Sequence, residues 1–143
     1  MTPATLHDWF DVHNLFVRYA TALDACDTES VVDCFTPSAW IESPVLGRFE
    51  GHAGIRAFVA RTSKVRDDRG GQFRHVLSNL RVETEGDRAV ARCYLLDFLT
   101  VAGRTELLSP GEYHCELARV GGAWKFTSRA VHMDQLFMPP DQG

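Results

Sequence analysis

Apolar and polar positions follow two different rhythms along this chain. Trp9, Val12, Phe16, Tyr19, Ala20 and Leu23 recur at the three- and four-residue spacing of one helix face, which predicts an amphipathic helix over about residues 5–24. Thr2-Pro3 or Thr5 starts it. Asp27 then caps a second, short helix that leads into Val32, Cys34 and Phe35 and stops at Pro37. Ala39 to Ser43 reads as a strand closed by Pro44, and Val45 to Glu50 as a turn and short arm. A third helix follows Gly51-His52-Ala53-Gly54 and buries Ile55, Phe58 and Val59, with Asp67, Asp68, Gly70 and Gly71 as the next loop.

From Gln72 onward the period shortens to two. Gln72–Glu83, Arg88–Val101, Arg104–Val120 and Ala123–Leu136 are four long β segments. Glu85-Gly86-Asp87, Ala102-Gly103 and Gly121-Gly122 separate them as hairpin turns. Ser109-Pro110-Gly111 inside the third segment predicts a bulge or bend, and Met138-Pro139-Pro140 begins a loose tail. Helices followed by an antiparallel meander define an α+β domain. A strongly bent sheet covered on one side by the three helices encloses a cone-shaped cavity, a natural small-molecule site.

Composition narrows this reading without changing it. With 143 residues, 45% hydrophobic and 24% charged, the chain is read as a single domain over 1–143 with a full core. A net charge of -4 argues against nucleic acid as a partner. The basic stretch from Arg56 to Arg69 is interrupted by Asp67 and Asp68 and reads as a solvated helix end. Cys26, Cys34, Cys93 and Cys115 show no zinc spacing and are taken as reduced and mostly buried, in keeping with a cytoplasmic protein. The opening MTPATLHDWF has neither a basic start nor an apolar run, so neither a signal peptide nor a membrane span is expected. His7, His13, His52, His114 and His132 lack a recurring ligand spacing, so no metal role is assigned. Ser43 has no evident base, which speaks against a serine nucleophile.

One carboxylate stands out. Asp24 ends an apolar helix face, where the negative end of the helix dipole favours a nearby cation. It either caps the next helix or belongs to a site.

The passages Tyr19-Ala-Thr-Ala-Leu-Asp24, Asp33-Cys-Phe-Thr-Pro-Ser-Ala-Trp-Ile-Glu42, Arg74-His75-Val-Leu-Ser-Asn-Leu-Arg-Val82 and Gly121-Gly-Ala-Trp-Lys-Phe126 occur in an order that resembles the SnoaL-like branch of the nuclear-transport-factor-2-like superfamily. That branch includes scytalone dehydratase, hexachlorocyclohexane dehydrochlorinase, ketosteroid isomerase and polyketide cyclases. The resemblance spans about Val12 to Phe137. It implies the cone-shaped fold, a homodimer or homotrimer, and an Asp24–His75 dyad at the dehydratase and dehydrochlorinase positions. His75 is then the general base and Asp24 its orienting partner. Tyr19 and Arg129 match charge-stabilising positions. Simple strand alternation sets Arg129 opposite to Trp124 and Phe126, so only a bulge brings it to their face.

Trp40, Phe58, Tyr94 and Tyr113 are candidate pocket walls, with core packing as the competing reading, and Asn79 shares the parity of His75. Ser43, Leu99, Gly111 and Tyr113 depart from the isomerase and dehydratase residues, so scytalone itself is not the expected substrate. The reading is a cofactor-independent lyase or isomerase acting on a small, largely apolar carbonyl or phenolic compound. The alternatives are a non-catalytic binding member of the same fold, or a structural subunit like the β subunit of a ring-hydroxylating dioxygenase.

Overall fold

The Thr5 hydroxyl accepts the Asp8 amide at 3.1 Å and starts the first helix, α1, Leu6–Asp24. Thr2-Pro3 instead forms a short strand, β1. In the computed structural model, which describes residues 1–136, α2 is Thr28–Asp33, β2 Phe35–Ser43, β3 Gly47–Glu50 and α3 Gly51–Arg69. Four long strands follow: β4 Gly71–Glu85, β5 Arg88–Val101, β6 Arg104–Val120 and β7 Ala123–Met133. The Met138-Pro139-Pro140 tail lies outside the described residues.

The strands form one curved sheet in the order β1-β4-β5-β6-β7-β2-β3, antiparallel except where β2 runs parallel to β7. The three helices pack on it, and the core between the layers is built from α1 residues such as Leu15, Phe16 and Tyr19 against Phe126, Leu117 and Cys115. Phe16 meets Phe126 edge-on at 5.0 Å.

Boundaries differ from the sequence reading, most of all in three places. α2 ends at Asp33 and β2 starts two residues before Pro37, because buried Phe35 pairs in parallel with Phe126. Pro37 falls in the register shift between Phe35 and Trp40, where its missing N–H removes no ladder bond. α3 continues through Asp67 and Asp68, which pair with Arg66 and Lys64 on the helix itself, and ends at Gly70 with φ 62°. β7 stops at Met133, three residues before Leu136. Asp27 caps α2 as expected, accepting Ser30 N–H at 3.3 Å.

Two hairpins carry positive φ at both central residues, Ala102 and Gly103 (51° and 76°) and Gly121 and Gly122 (58° and 81°), as a primed turn requires. Register shifts mark three bulges: Asn79-Leu80 in β4, Leu108 in β6 and Thr127 in β7. Each adds residues to one strand of a pair, bends the sheet, and re-aims whatever follows. The bend expected near Ser109 is the Leu108 bulge.

Beyond it, β6 and β7 approach so closely at Gly111 that a Cβ there would lie 2.0 Å from the His132 carbonyl oxygen. Relief requires prising two paired strands apart. Gly111→Ala is therefore expected to cost about 3 kcal/mol or more, read from urea denaturation. An unchanged midpoint would mean that the strands separate there freely.

Candidate active site

Asp24, the last residue of α1, projects onto the edge of β4 that β1 leaves open. Its carboxylate accepts the backbone N–H of His75 at 3.0 and 3.3 Å and faces His75 Nδ1 at 2.5 Å. Gln72 Nε2 donates to the Asp24 carbonyl at 2.8 Å, which occupies a helix-end acceptor and ties the same two elements together. Asp24 does not cap α2; Asp27 does. With Nδ1–H donating to the Asp24 carboxylate, the imidazole is held in one tautomer and Nε2 points away from the dyad.

What lies beyond Nε2 was not singled out in the sequence. Asp97 of β5 is the direct cross-strand partner of His75, and its Oδ1 stands 3.5 Å from Nε2. That oxygen is buried and makes no hydrogen bond among the described residues. Burial pushes the Asp97 carboxyl up to about 6, with His75 opposing the shift and Asp24 adding to it. A signal was available: Asp97 is the one charge in the apolar run Tyr94-Leu-Leu-Asp-Phe-Leu99.

His75 and Asp97 lie on the wall of a cavity inside the cone that leaves about 80 Å³ open to the centre of a water molecule. Arg129, Phe58 and Tyr113 share that wall. Arg129 is only 1% exposed, and its Nε and Nη1 have no hydrogen-bond partner among the described residues. Its guanidinium lies over the rings of Tyr113 (4.3 Å), Tyr19 (4.6 Å) and Phe58 (5.4 Å). The Thr127 bulge puts it there. Leu117 pairs with Phe126 but Glu116 with Ser128, so the parity after Thr127 reverses and Arg129 joins Trp124 and Phe126 on the inner face.

Four residues expected at the site are placed elsewhere. Tyr19 is fully buried but off the cavity wall, behind Arg129; burial raises its hydroxyl pKa, against the opposing pull of Arg129. Trp40 alternates with inward Ala39 and Ile41 and carries Arg48 on its ring at 4.1 Å. Tyr94, 52% exposed, alternates with inward Leu95 on the outer face. Asn79 is exposed at the β4 bulge with φ 57°, which breaks the parity linking it to His75.

Ser43 lines the cavity, yet its hydroxyl accepts the Val45 and Leu46 amides at 3.2 Å each and is occupied in a turn. Burial pushes the Cys93 thiol up to about 12 and raises that of Cys115, so neither is a nucleophile near neutral pH. Among the described residues no helix is long and apolar enough to cross a membrane.

Known proteins resemble this chain in sequence or in fold. Rv2910c, an uncharacterised protein of Mycobacterium tuberculosis, is 26% identical over 135 residues, covering 90% of this chain and 87% of that one. A proposed aromatic ring hydroxylase of Novosphingobium aromaticivorans superposes with a TM-score of 0.78 at 28% identity, covering 93% of each chain. A proposed scytalone dehydratase of the same species matches with a TM-score of 0.78 over 96% of each chain, at 16% identity, a likeness of fold alone. The model of the SnoaL-like domain matches residues 4–130. With nearly the whole chain matched and the helices-on-curved-sheet architecture in place, this protein belongs to the SnoaL-like domain family.

Proposed function

We propose that the protein is a cofactor-independent lyase or isomerase whose base is His75. The observation that carries this reading is one imidazole held between two carboxylates, buried Asp24 on Nδ1 and part-buried Asp97 across from Nε2, on the wall of a largely apolar cavity. Asp24 fixes the ring, so the Nε2 lone pair is free to take a proton from carbon beside a carbonyl or phenol. The electron pair left by that C–H bond passes into the carbonyl or ring, and Arg129 offers charge to the oxygen that receives it.

Asp97 supplies the matching acid. In a dehydration its carboxyl proton goes to the departing oxygen as the C–O bond breaks, and water leaves. The imidazolium then returns its new proton across the 3.5 Å gap to Asp97, which restores both groups. Base and acid this close on one wall reach only one face of a substrate, so hydrogen and leaving group depart from the same side. In an isomerisation, the same pair moves a proton between two carbons of that face.

The pH profile tests the assignment. Asp97 must hold its proton to act as the acid, so kcat/KM is expected to fall as pH rises through about 6. Asp97→Asn should lower activity and abolish that limb. The measurement follows absorbance over a panel of β-hydroxy carbonyl and cyclic enone compounds. A wild-type profile flat in this range, or an Asn variant that matches it at every pH, would remove Asp97 from the mechanism.

A further inference from the structure

The basic stretch of α3 is not uniformly solvated. Arg56 pairs with Glu29 through two bonds of 2.9 and 3.2 Å, Lys64 pairs with Asp68, and Arg66 with Asp67 at 3.1 Å. Arg61 has no hydrogen bond or ion pair among the described residues, is half-buried, and lines the cavity. Phe58, Arg61, Thr62 and Val65 follow the i, i+3, i+4, i+7 spacing of the stripe that α3 turns to the cavity. A guanidinium thus takes a position where a helix ordinarily places an apolar residue.

Arg129 is a second one, nine-tenths and more buried, with two nitrogens unpartnered and ring faces rather than carboxylates around it among the described residues. The carboxylate on this wall, Asp97, faces His75. Two guanidiniums with no protein anion, in a cavity otherwise walled by residues such as Leu23, Phe73 and Leu95, recover their desolvation cost when a ligand brings an anion.

We propose that Arg61 is a specificity-determining residue and that the substrate is a small aromatic or cyclic carboxylic acid, its carboxylate held by Arg61 and its reacting oxygen directed at Arg129. The inference deepens the lyase or isomerase reading and rests on it for the role of Arg129. It implies that an uncharged analogue of the same shape is a poor ligand. It also implies that the acid is recognised away from the reacting carbon, so Arg61 sets affinity rather than rate.

Calorimetric titration with trans-cinnamate and with isosteric, uncharged cinnamamide tests it without any turnover. Wild-type protein should bind cinnamate about tenfold more tightly than the amide, less so in high salt. Arg61→Gln should bring the two within about threefold by weakening cinnamate alone. Equal affinities in the wild type, a preference that survives in Arg61→Gln, or no binding of either compound at millimolar concentration would overturn the proposal. Selective binding by a protein that turns over no compound in any panel would instead refute the lyase reading and leave Arg61 standing.

Discussion

Replacing His75 with Ala is expected to lower kcat/KM by about a hundredfold or more, the usual contribution of a positioned general base. No other side chain in this site can take over. Ser43 is occupied in its turn, burial holds the Tyr113 hydroxyl protonated, and in the proposed mechanism Asp97 depends on Nε2 for its return proton. Truncation also leaves Asp24 and Asp97 buried without the ring between them, so some stability should go with the activity.

Asp24→Asn separates the two effects. An asparagine can still accept the His75 amide, which keeps α1 docked on β4. Its NH2 group, however, would donate to Nδ1 and drive the ring proton to Nε2, the atom that must be bare. A loss of about a hundredfold with a near-native denaturation curve is the expected result. The double variant should be no worse than either single one, because both disable a single base. Near-wild-type turnover in both single variants would sink the dyad.

Arg129→Met should show stability and activity moving in opposite directions. The Arg129 charge is buried without a carboxylate, so its desolvation is offset only by ring faces. An apolar side chain of similar length against Tyr19, Tyr113 and Phe58 is expected to leave stability unchanged or raise it by about 1–4 kcal/mol, the range seen when buried ion pairs are replaced by well-packed apolar groups. The same change removes charge from the oxygen of the developing enolate or phenolate, where one lost donor costs about 10² to 10³ in rate. Urea denaturation and kcat/KM on the same preparation read both. A destabilised variant that keeps its activity would make Arg129 a structural residue of the core.

Much of the architecture could be read from local rules. The α1 periodicity, the Asp27 cap, and the turns at Ala102-Gly103 and Gly121-Gly122 depend on neighbours a few residues apart. Even the start of β2 was misjudged only because Phe35 answers to Phe126, some ninety residues away. The site was less legible. Asp24 and His75 were found through the order of motifs, since nothing local indicates that a helix end meets one strand edge. Asp97 passed unremarked because its meaning comes from lying opposite His75 in the β4–β5 register.

Strand alternation by itself also misassigns Asn79 and sets Arg129 on the face away from Trp124 and Phe126. The Asn79-Leu80 bulge breaks the first parity, and the Thr127 bulge turns the second inward. The sequence by itself determined the elements, their order and the family, because periodicity, caps and turns act over a few residues. Only the tertiary structure decided which side chains share the cavity. That choice rests on the register and bulges of paired strands, where one extra residue moves a side chain from one face of the sheet to the other.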